Sequence, residues 1–204
     1  MAGNRGVVGF DLDMTLIDSR RGILASFAAV AAETGVPIDP VAVDSRLGIT
    51  LEAELAHWFP AGQIESAVAI YRKHYPVLAG PLTSMLPGAP EALAAVRAAG
   101  SRVVVISAKF EPTVRNVLDD LGLVADEIFG GLHGSAKGEV LAGLKAAAYV
   151  GDTPPDMRAA VQAGAFGVGA ATGSFTAGEL IDAGAGVVLG TLTEFPAWYA
   201  GFAH

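Results

Sequence analysis

Acidic residues stand close together at two places in this sequence, in the segments GFDLDMTLID and YVGDTPPDM. The first segment holds Asp11 and Asp13, the second holds Asp152 and Asp156, and each pair follows a short apolar run. Residues two apart in a strand project to the same side, about 6 to 7 Å apart along the chain. Asp11 and Asp13 would therefore crowd two carboxylates into one place, which favours a divalent cation with further oxygen ligands nearby.

A hydroxyl group and an amine lie between the two acidic pairs along the chain. Ser107 ends the apolar run VVVIS, and Lys137 lies in GSAKGEVL, ahead of a helix-like segment. A helix N-terminus disfavours a cation, so this place for Lys137 favours a functional role over a structural one. A metal, a hydroxyl donor and an ammonium group that converge on one spot form a site for a phosphoryl group.

Five apolar runs predict the strands that must position these side chains. None of them alternates apolar with polar residues, which is typical of parallel strands covered on both faces. The runs are GVVGF (Gly6–Phe10), RVVVI (Arg102–Ile106), AAAYV (Ala146–Val150), AFGVG (Ala165–Gly169) and GVVLG (Gly186–Gly190). Helix-like segments with proline near the start and glycine at the end lie between them.

This alternation predicts an α/β fold, a Rossmann-like doubly wound parallel sheet. The carboxyl ends of its strands share one edge, so both acidic pairs and Ser107 should meet there. Residues 18–84 break the rhythm, because they show helical patterns without a buried strand. We therefore expect a core domain of residues 1–17 and 85–204, with residues 18–84 inserted as an α-helical cap.

Composition excludes several classes of protein. The 204 residues carry a formal net charge of −8, which argues against nucleic acid as a partner. The absence of cysteine excludes disulfides and thiolate chemistry. No signal-peptide core precedes the first strand, and the longest uncharged run, Ala159–Gly178, is too rich in glycine and polar residues for a membrane span. We expect a cytoplasmic protein without a membrane partner, and the oligomeric state stays open.

The segments DLDMTL, VVVIS and GDTPPD, with Lys137, resemble the four motifs of the haloacid dehalogenase superfamily, in the family's order. The helical insertion resembles the type-1 cap of its phosphoglycolate phosphatase-like branch, so the resemblance spans nearly the whole chain. It implies a Mg²⁺-dependent phosphatase that hydrolyses a small phosphorylated metabolite through an aspartyl-phosphate intermediate.

The resemblance also implies a role for each motif residue. Asp11 would be the nucleophile, and Asp13 would protonate the leaving oxygen and later deprotonate water. The residues expected to contact the phosphoryl group are Thr15, Ser107, Ala108 and Lys137. The residues expected to hold Mg²⁺ are Asp11, Asp13 through its carbonyl, Asp152 and Asp156. For Asp156 an alternative is open, because Thr153, Pro154 and Asp156 also form a helix-capping pattern.

Substrate selection is expected to lie in the insertion. The segment RLGIT resembles the family's cap loop that faces the active site, which suggests Arg46, Gly48 and Thr50 as contacts, with Arg20 as a further cation. The alternative is that these residues form an ordinary solvated helix surface.

Three positions depart from the family pattern. Met14 replaces a usual glycine, Gly138 replaces the usual proline after the lysine, and Ala108 replaces a common asparagine. None of the three removes a reacting group.

Two other functions fit the same residues. A β-phosphoglucomutase-like phosphomutase shares the core and differs in its cap. A phospho-receiver or a non-catalytic phospho-ligand-binding protein also combines acidic groups, a hydroxyl and a lysine. In a receiver the lysine comes last, whereas Asp152 and Asp156 follow Lys137 here.

Overall fold

The computed structural model describes residues 6–203 and contains a six-stranded parallel sheet. The strands are β1 (Val7–Phe10), β2 (Ile17–Asp18), β3 (Ser84–Met85), β4 (Arg102–Ile106), β5 (Glu127–Phe129), β6 (Ala148–Gly151), β7 (Phe166–Ala170) and β8 (Val187–Leu189). The sheet has the order β5-β4-β1-β6-β7-β8, with every neighbouring pair parallel, and β2 pairs with β3. The predicted α/β fold with a doubly wound parallel sheet is confirmed.

The helices lie between the strands as the alternation predicts. They are α1 (Arg20–Thr34), α2 (Pro40–Asp44), α3 (Leu51–Leu55), α4 (Ile64–Ala79), α5 (Ala89–Ala98), α6 (Glu111–Asp120), α7 (Ser135–Leu144), α8 (Pro154–Ala163), α9 (Ala177–Asp182) and α10 (Phe195–Phe202). All five apolar runs are strands, with bounds that differ from the prediction by at most two residues. The sequence pattern did not reveal β5, which begins with a glutamate and is only half-buried.

The sheet is covered on both faces, which explains the continuous apolar runs of its strands. Val8 and Phe10 of β1 point into a core formed with α5, α6 and α10. Val7, on the opposite side of the same strand, joins a second core with α7 and α8. Burial on both faces fixes the register of β1, so that its carboxyl end is held at one place.

A tight loop follows β1 and contains the first acidic pair. The Leu12 carbonyl accepts hydrogen bonds from the backbone N–H groups of residues 15, 16 and 17, at 2.9 to 3.3 Å. Met14 has a left-handed conformation with φ of 59°, and its side chain is buried. The loop therefore accepts a side chain at the position where the family usually carries glycine, although this backbone conformation favours glycine.

By its internal contacts the chain divides into two compact units. One unit is Asp18–Ser84, which contains α1 to α4 and its own apolar core, including the rings of Phe27 and Tyr71, 5.0 Å apart. The other unit contains the sheet. Residues 1–5 and 204 of the expected core domain lie outside the described residues. The role of the helical unit as a cap stays a prediction.

Within residues 6–203, no helix combines the length and the apolar character that crossing a bilayer requires.

Gly88, the residue before α5, gives the fold a testable steric constraint. Its φ is 87°, and a methyl group there would lie 2.1 Å from the backbone nitrogen of Thr193. We expect Gly88→Ala to lower the free energy of unfolding by about 2 kcal/mol or more, because the change adds both backbone strain and a clash.

Gly143 is the matched control. It lies in α7 with no neighbouring atom within 4 Å of an added methyl group. Gly143→Ala should raise the free energy of unfolding by roughly 0.5 to 1 kcal/mol, since alanine is the better helix former. Urea unfolding followed by circular dichroism measures both variants, and equal stabilities would contradict the steric argument.

Candidate active site

Three neighbouring strands end at one place and carry the predicted site residues. The central strand β1 is paired with β4 and β6, and Phe10 lies opposite both Val105 and Val150. Neighbouring strands are about 4.8 Å apart. Asp11, Ser107 and Asp152, each just beyond its own strand, therefore lie along one edge of the sheet.

Lys137 connects the two acidic segments directly. Its Nζ lies 2.8 Å from Asp11 Oδ1 and 2.7 Å from Asp156 Oδ1, and only 2% of the residue is exposed. Burial alone would lower the pKa of Lys137, but the charges of Asp11 and Asp156 outweigh it and hold that pKa well above its usual value. Lys137 lies in the first turn of α7 rather than ahead of the helix, so the two carboxylates also offset the unfavourable helix dipole.

Three buried carboxylates form the centre of the site. One oxygen from each of Asp11, Asp152 and Asp156 lies within 4.8 Å of the others. Burial raises the pKa of Asp11 to about 7, although the charge of Lys137 opposes this. Burial, followed by the charge of Asp11, raises the pKa of Asp152 well above its ordinary value. Like charges this close at buried positions are stabilised by a divalent cation, and carboxylate oxygens are the donors that Mg²⁺ prefers. The residues therefore fit a hard divalent metal ion.

Asp156 also has the capping role that its sequence pattern suggested. Its Oδ2 accepts hydrogen bonds from the backbone N–H of Thr153 at 3.2 Å and from the Thr153 hydroxyl at 2.6 Å, and together these residues form a capping box at the start of α8. Asp156 thus holds α8 with one oxygen and Lys137 with the other.

Asp13 forms an ion pair with a second lysine, Lys109. Its Oδ1 lies 3.0 Å from Lys109 Nζ, with the two side chains 14% and 10% exposed. Asp13 is outside the cluster of three carboxylates. Lys109 was not predicted as a site residue, although its position two residues after Ser107, in a strand-end loop, indicates one.

The hydroxyl residues flank the carboxylates. The Ser107 side chain is buried and accepts a hydrogen bond from the Lys109 backbone N–H at 3.1 Å, so the hydroxyl hydrogen can point to another acceptor. The Thr15 hydroxyl donates to Asp152 Oδ1 at 3.2 Å and orients that carboxylate. Ala108 follows Ser107 in the same loop and is half-buried. Contacts of these residues with a phosphoryl group stay predictions.

The residues expected to select substrate have partners inside the helical unit. Arg46 makes two hydrogen bonds, of 2.8 and 2.6 Å, to the buried carboxylate of Glu54, and Arg20 pairs with Asp44 at 3.0 Å. Thr50 caps α3, with its hydroxyl accepting from the Ala53 backbone N–H. Gly48 has a φ of 107°, in the left-handed region. These contacts give Arg20, Arg46 and Thr50 structural roles within the unit. A part in substrate selection stays a prediction for these three residues and for Gly48.

Comparison with known proteins agrees with the geometry of the site. Residues 8–161 match the model of the haloacid dehalogenase-like hydrolase family. The phosphoglycolate phosphatase of Aquifex aeolicus is 33% identical over 174 residues, which cover 78% of this chain and 81% of that protein. A haloacid dehalogenase-like hydrolase from Bacteroides fragilis superposes with a TM-score of 0.82 at 27% identity, over 94% of this chain and 99% of that one.

A tyrosine-protein kinase also shares part of the chain. PtkA of Mycobacterium tuberculosis is 33% identical over 118 residues, which are 57% of this chain. The matched segment covers only 40% of the kinase.

Gly173 offers a test of the acidic cluster. A methyl group at this residue would lie 2.0 Å from Asp152 Oδ2. Gly173→Ala should therefore displace Asp152 and weaken the binding of a divalent cation by about tenfold or more, as is typical for changes beside metal ligands. Calorimetric titration of the substrate-free protein with Mg²⁺ measures the change.

Gly178→Ala is the control for this measurement, since its methyl group would have no neighbour closer than 4.0 Å. It should leave the dissociation constant unchanged. Equal affinities for the two variants would show that Asp152 does not bind the cation.

Proposed function

Since the chain belongs to the haloacid dehalogenase-like hydrolase family, we propose that it is a Mg²⁺-dependent phosphatase acting on a small phosphorylated metabolite. The observation that carries the proposal is the buried carboxylate of Asp11, held by Lys137 beside Asp152. The phosphoglycolate phosphatase relative, matched over most of both chains, supports the same reaction class.

Asp11 acts as the nucleophile in this proposal. One of its carboxylate oxygens attacks phosphorus, and the bond between phosphorus and the ester oxygen breaks as an aspartyl-phosphate forms. Lys137 fixes the rotation of the carboxylate through Oδ1. Two N–H groups of the Lys137 ammonium donate to carboxylates, and its positive charge would stabilise the negative charge of the phosphoryl oxygens.

Asp13 moves the protons. It gives a proton to the departing ester oxygen, and later takes one from the water that attacks phosphorus and releases Asp11. Lys109 holds the Asp13 side chain in place at 3.0 Å. The Ser107 hydroxyl donates a hydrogen bond to a phosphoryl oxygen, as does the backbone of the same loop.

The charge of the site supports a metal ion. Its four carboxylates and two ammonium groups leave two negative charges in excess when all are ionised. A phosphate monoester carries up to two more, and would be repelled. Asp11 and Asp152 would hold Mg²⁺, with the Asp13 carbonyl as a further oxygen donor. When bound, Mg²⁺ neutralises this excess and stabilises charge on the phosphoryl oxygens.

The helical unit completes the proposal as a cap that selects the substrate, with a cytoplasmic setting as expected from the sequence. Phosphoryl transfer to a protein is the second candidate, because PtkA shares 33% identity over 118 residues. The two functions differ in the acceptor of the phosphoryl group, which is water for a phosphatase and a protein side chain for a kinase. Incubation with a panel of phosphorylated metabolites and, separately, with ATP and a tyrosine-containing peptide separates phosphate release from peptide phosphorylation. Isomerised sugar phosphate in the same panel would favour the phosphomutase.

Asp11→Asn tests the nucleophile. The amide cannot form the aspartyl-phosphate, so turnover of an aryl phosphate should fall by at least about 10⁴-fold, the order expected for loss of a nucleophile. Phosphate release measures turnover, and circular dichroism shows whether the fold is kept.

Asp119→Asn is the matched control, because Asp119 lies exposed on α6. It should retain full turnover. Robust hydrolysis by Asp11→Asn would refute the nucleophile assignment, and a binding protein of the receiver or ligand-holding type would show no turnover in the wild type.

Metal removal gives an independent prediction. EDTA should stop aryl phosphate hydrolysis, because the excess negative charge of the site is then uncompensated, and added Mg²⁺ in excess of the chelator should restore it. Calcium at the same concentration is the comparison, since its larger, more flexible coordination fits the site differently. Hydrolysis that is indifferent to chelator would overturn the metal requirement.

A further inference from the structure

Tyr149 is a buried polar residue beside the site that none of the steps above uses. It lies on β6 and is completely inaccessible to solvent. Its hydroxyl has two acceptors, both at 3.2 Å, which are Asp156 Oδ1 and the carbonyl oxygen of Ile106. Burial raises the pKa of Tyr149 well above its ordinary value, so the hydroxyl stays a donor. A charged carboxylate is the stronger of the two acceptors.

Asp156 has no acceptor position to spare once Tyr149 is counted. Its Oδ1 accepts from Lys137 at 2.7 Å and from Tyr149, and its Oδ2 accepts two hydrogen bonds from Thr153. A carboxylate offers about four lone-pair positions. A cation that bound Asp156 directly would have to displace one of these buried donors. Within residues 6–203, by contrast, Lys137 donates to the Asp11 carboxylate and Thr15 donates to the Asp152 carboxylate, which leaves acceptor positions on both.

Tyr149 also contacts Lys137 through its ring. The Lys137 Nζ lies 5.7 Å from the ring centroid, within the range of a cation–π interaction. The ring fits because Gly9 lies opposite it on β1, where a methyl group would be 2.8 Å from the Tyr149 ring. The Tyr149 hydroxyl therefore acts on Lys137 through Asp156 and also by its own direct interaction with the ammonium group, while the ring faces the same group.

We propose that Tyr149 is a positioning residue, which holds Asp156 so that Asp156 keeps the Lys137 ammonium against Asp11 and does not bind the metal ion. Its effect on turnover rests on the proposed phosphatase function. Its effect on the position of Lys137 does not, and can be measured without substrate.

Tyr149→Phe isolates the hydroxyl, because it keeps the ring and adds no charge. Tyr199→Phe is the matched control. The Tyr199 side chain is also buried, and its hydroxyl donates to Ser101 Oγ at 3.0 Å, within the core of the same unit. Tyr149→Phe loses a buried hydrogen bond to a carboxylate and Tyr199→Phe loses a part-buried one to a neutral hydroxyl, so both should lower the urea midpoint, and Tyr149→Phe should lower it more.

The position of Lys137 is measured by the ¹H–¹⁵N signal of its ammonium group in the substrate-free protein, assigned by its loss in Lys137→Arg. A buried, held ammonium gives a resolved signal. We expect this signal to shift or to broaden beyond detection in Tyr149→Phe and to stay unchanged in Tyr199→Phe. An unchanged signal in Tyr149→Phe, or no signal in the wild type, would overturn the proposal.

Turnover and metal position give two further readouts. The kcat/KM for an aryl phosphate should fall about tenfold in Tyr149→Phe, the equivalent of about 1.4 kcal/mol, and less than about twofold in Tyr199→Phe. A crystal soaked with Mn²⁺ should place the ion within bonding distance of oxygens of Asp11 and Asp152, with Asp156 outside bonding distance.

An ion bonded to Asp156, or equal kcat/KM for the two tyrosine variants, would contradict the positioning role. If the wild type hydrolyses no phosphate ester, the phosphatase function fails, and the ammonium signal still decides the role of Tyr149.

Discussion

The site depends on one buried ammonium group between two carboxylates. Taking a lysine out of water costs several kcal/mol unless its charge is paired and hydrogen-bonded. Lys137 meets this condition only because Asp11 and Asp156, from different strand ends, lie on either side of it at 2.8 and 2.7 Å. The pairing of β1 with β6 and the packing of α7 and α8 on one face of the sheet are thus the structural requirements for this charge.

The parts of the fold that the sequence predicted are those whose physical cause is local. Strands buried on both faces require continuous apolar runs, so β4 could be bounded to the residue. Proline and glycine similarly mark the ends of α8. The strand β5 was not predicted because it lies half-buried at the edge of the sheet, where fewer apolar residues are required. β5 forms because it pairs with β4, and this long-range pairing leaves no signal in the local sequence pattern.

The contacts within the site were harder to predict than its residues. The acidic pairs and Lys137 stood out by type and order, but the partner of each depends on strand order. Thr15, expected to meet phosphate, donates to Asp152, and Asp13 has Lys109 as its partner. Both pairings join segments that only the packed sheet brings together. The chemistry of the site could therefore be predicted from the sequence. Its individual hydrogen bonds and ion pairs could not, because they depend on the register of the strands.

The glycines of the site show how closely its charges are packed. A methyl group at Gly151 would lie 2.5 Å from Asp156 Cβ, and one at Gly173 would lie 2.0 Å from Asp152 Oδ2. Neither has a positive φ, so the reason for glycine is space and not backbone conformation. Gly173, three residues after the end of β7, thus leaves room for the Asp152 carboxylate. Glycine next to a strand often marks such a close approach, and here it allows three buried carboxylates to lie with one oxygen of each within 4.8 Å of the others.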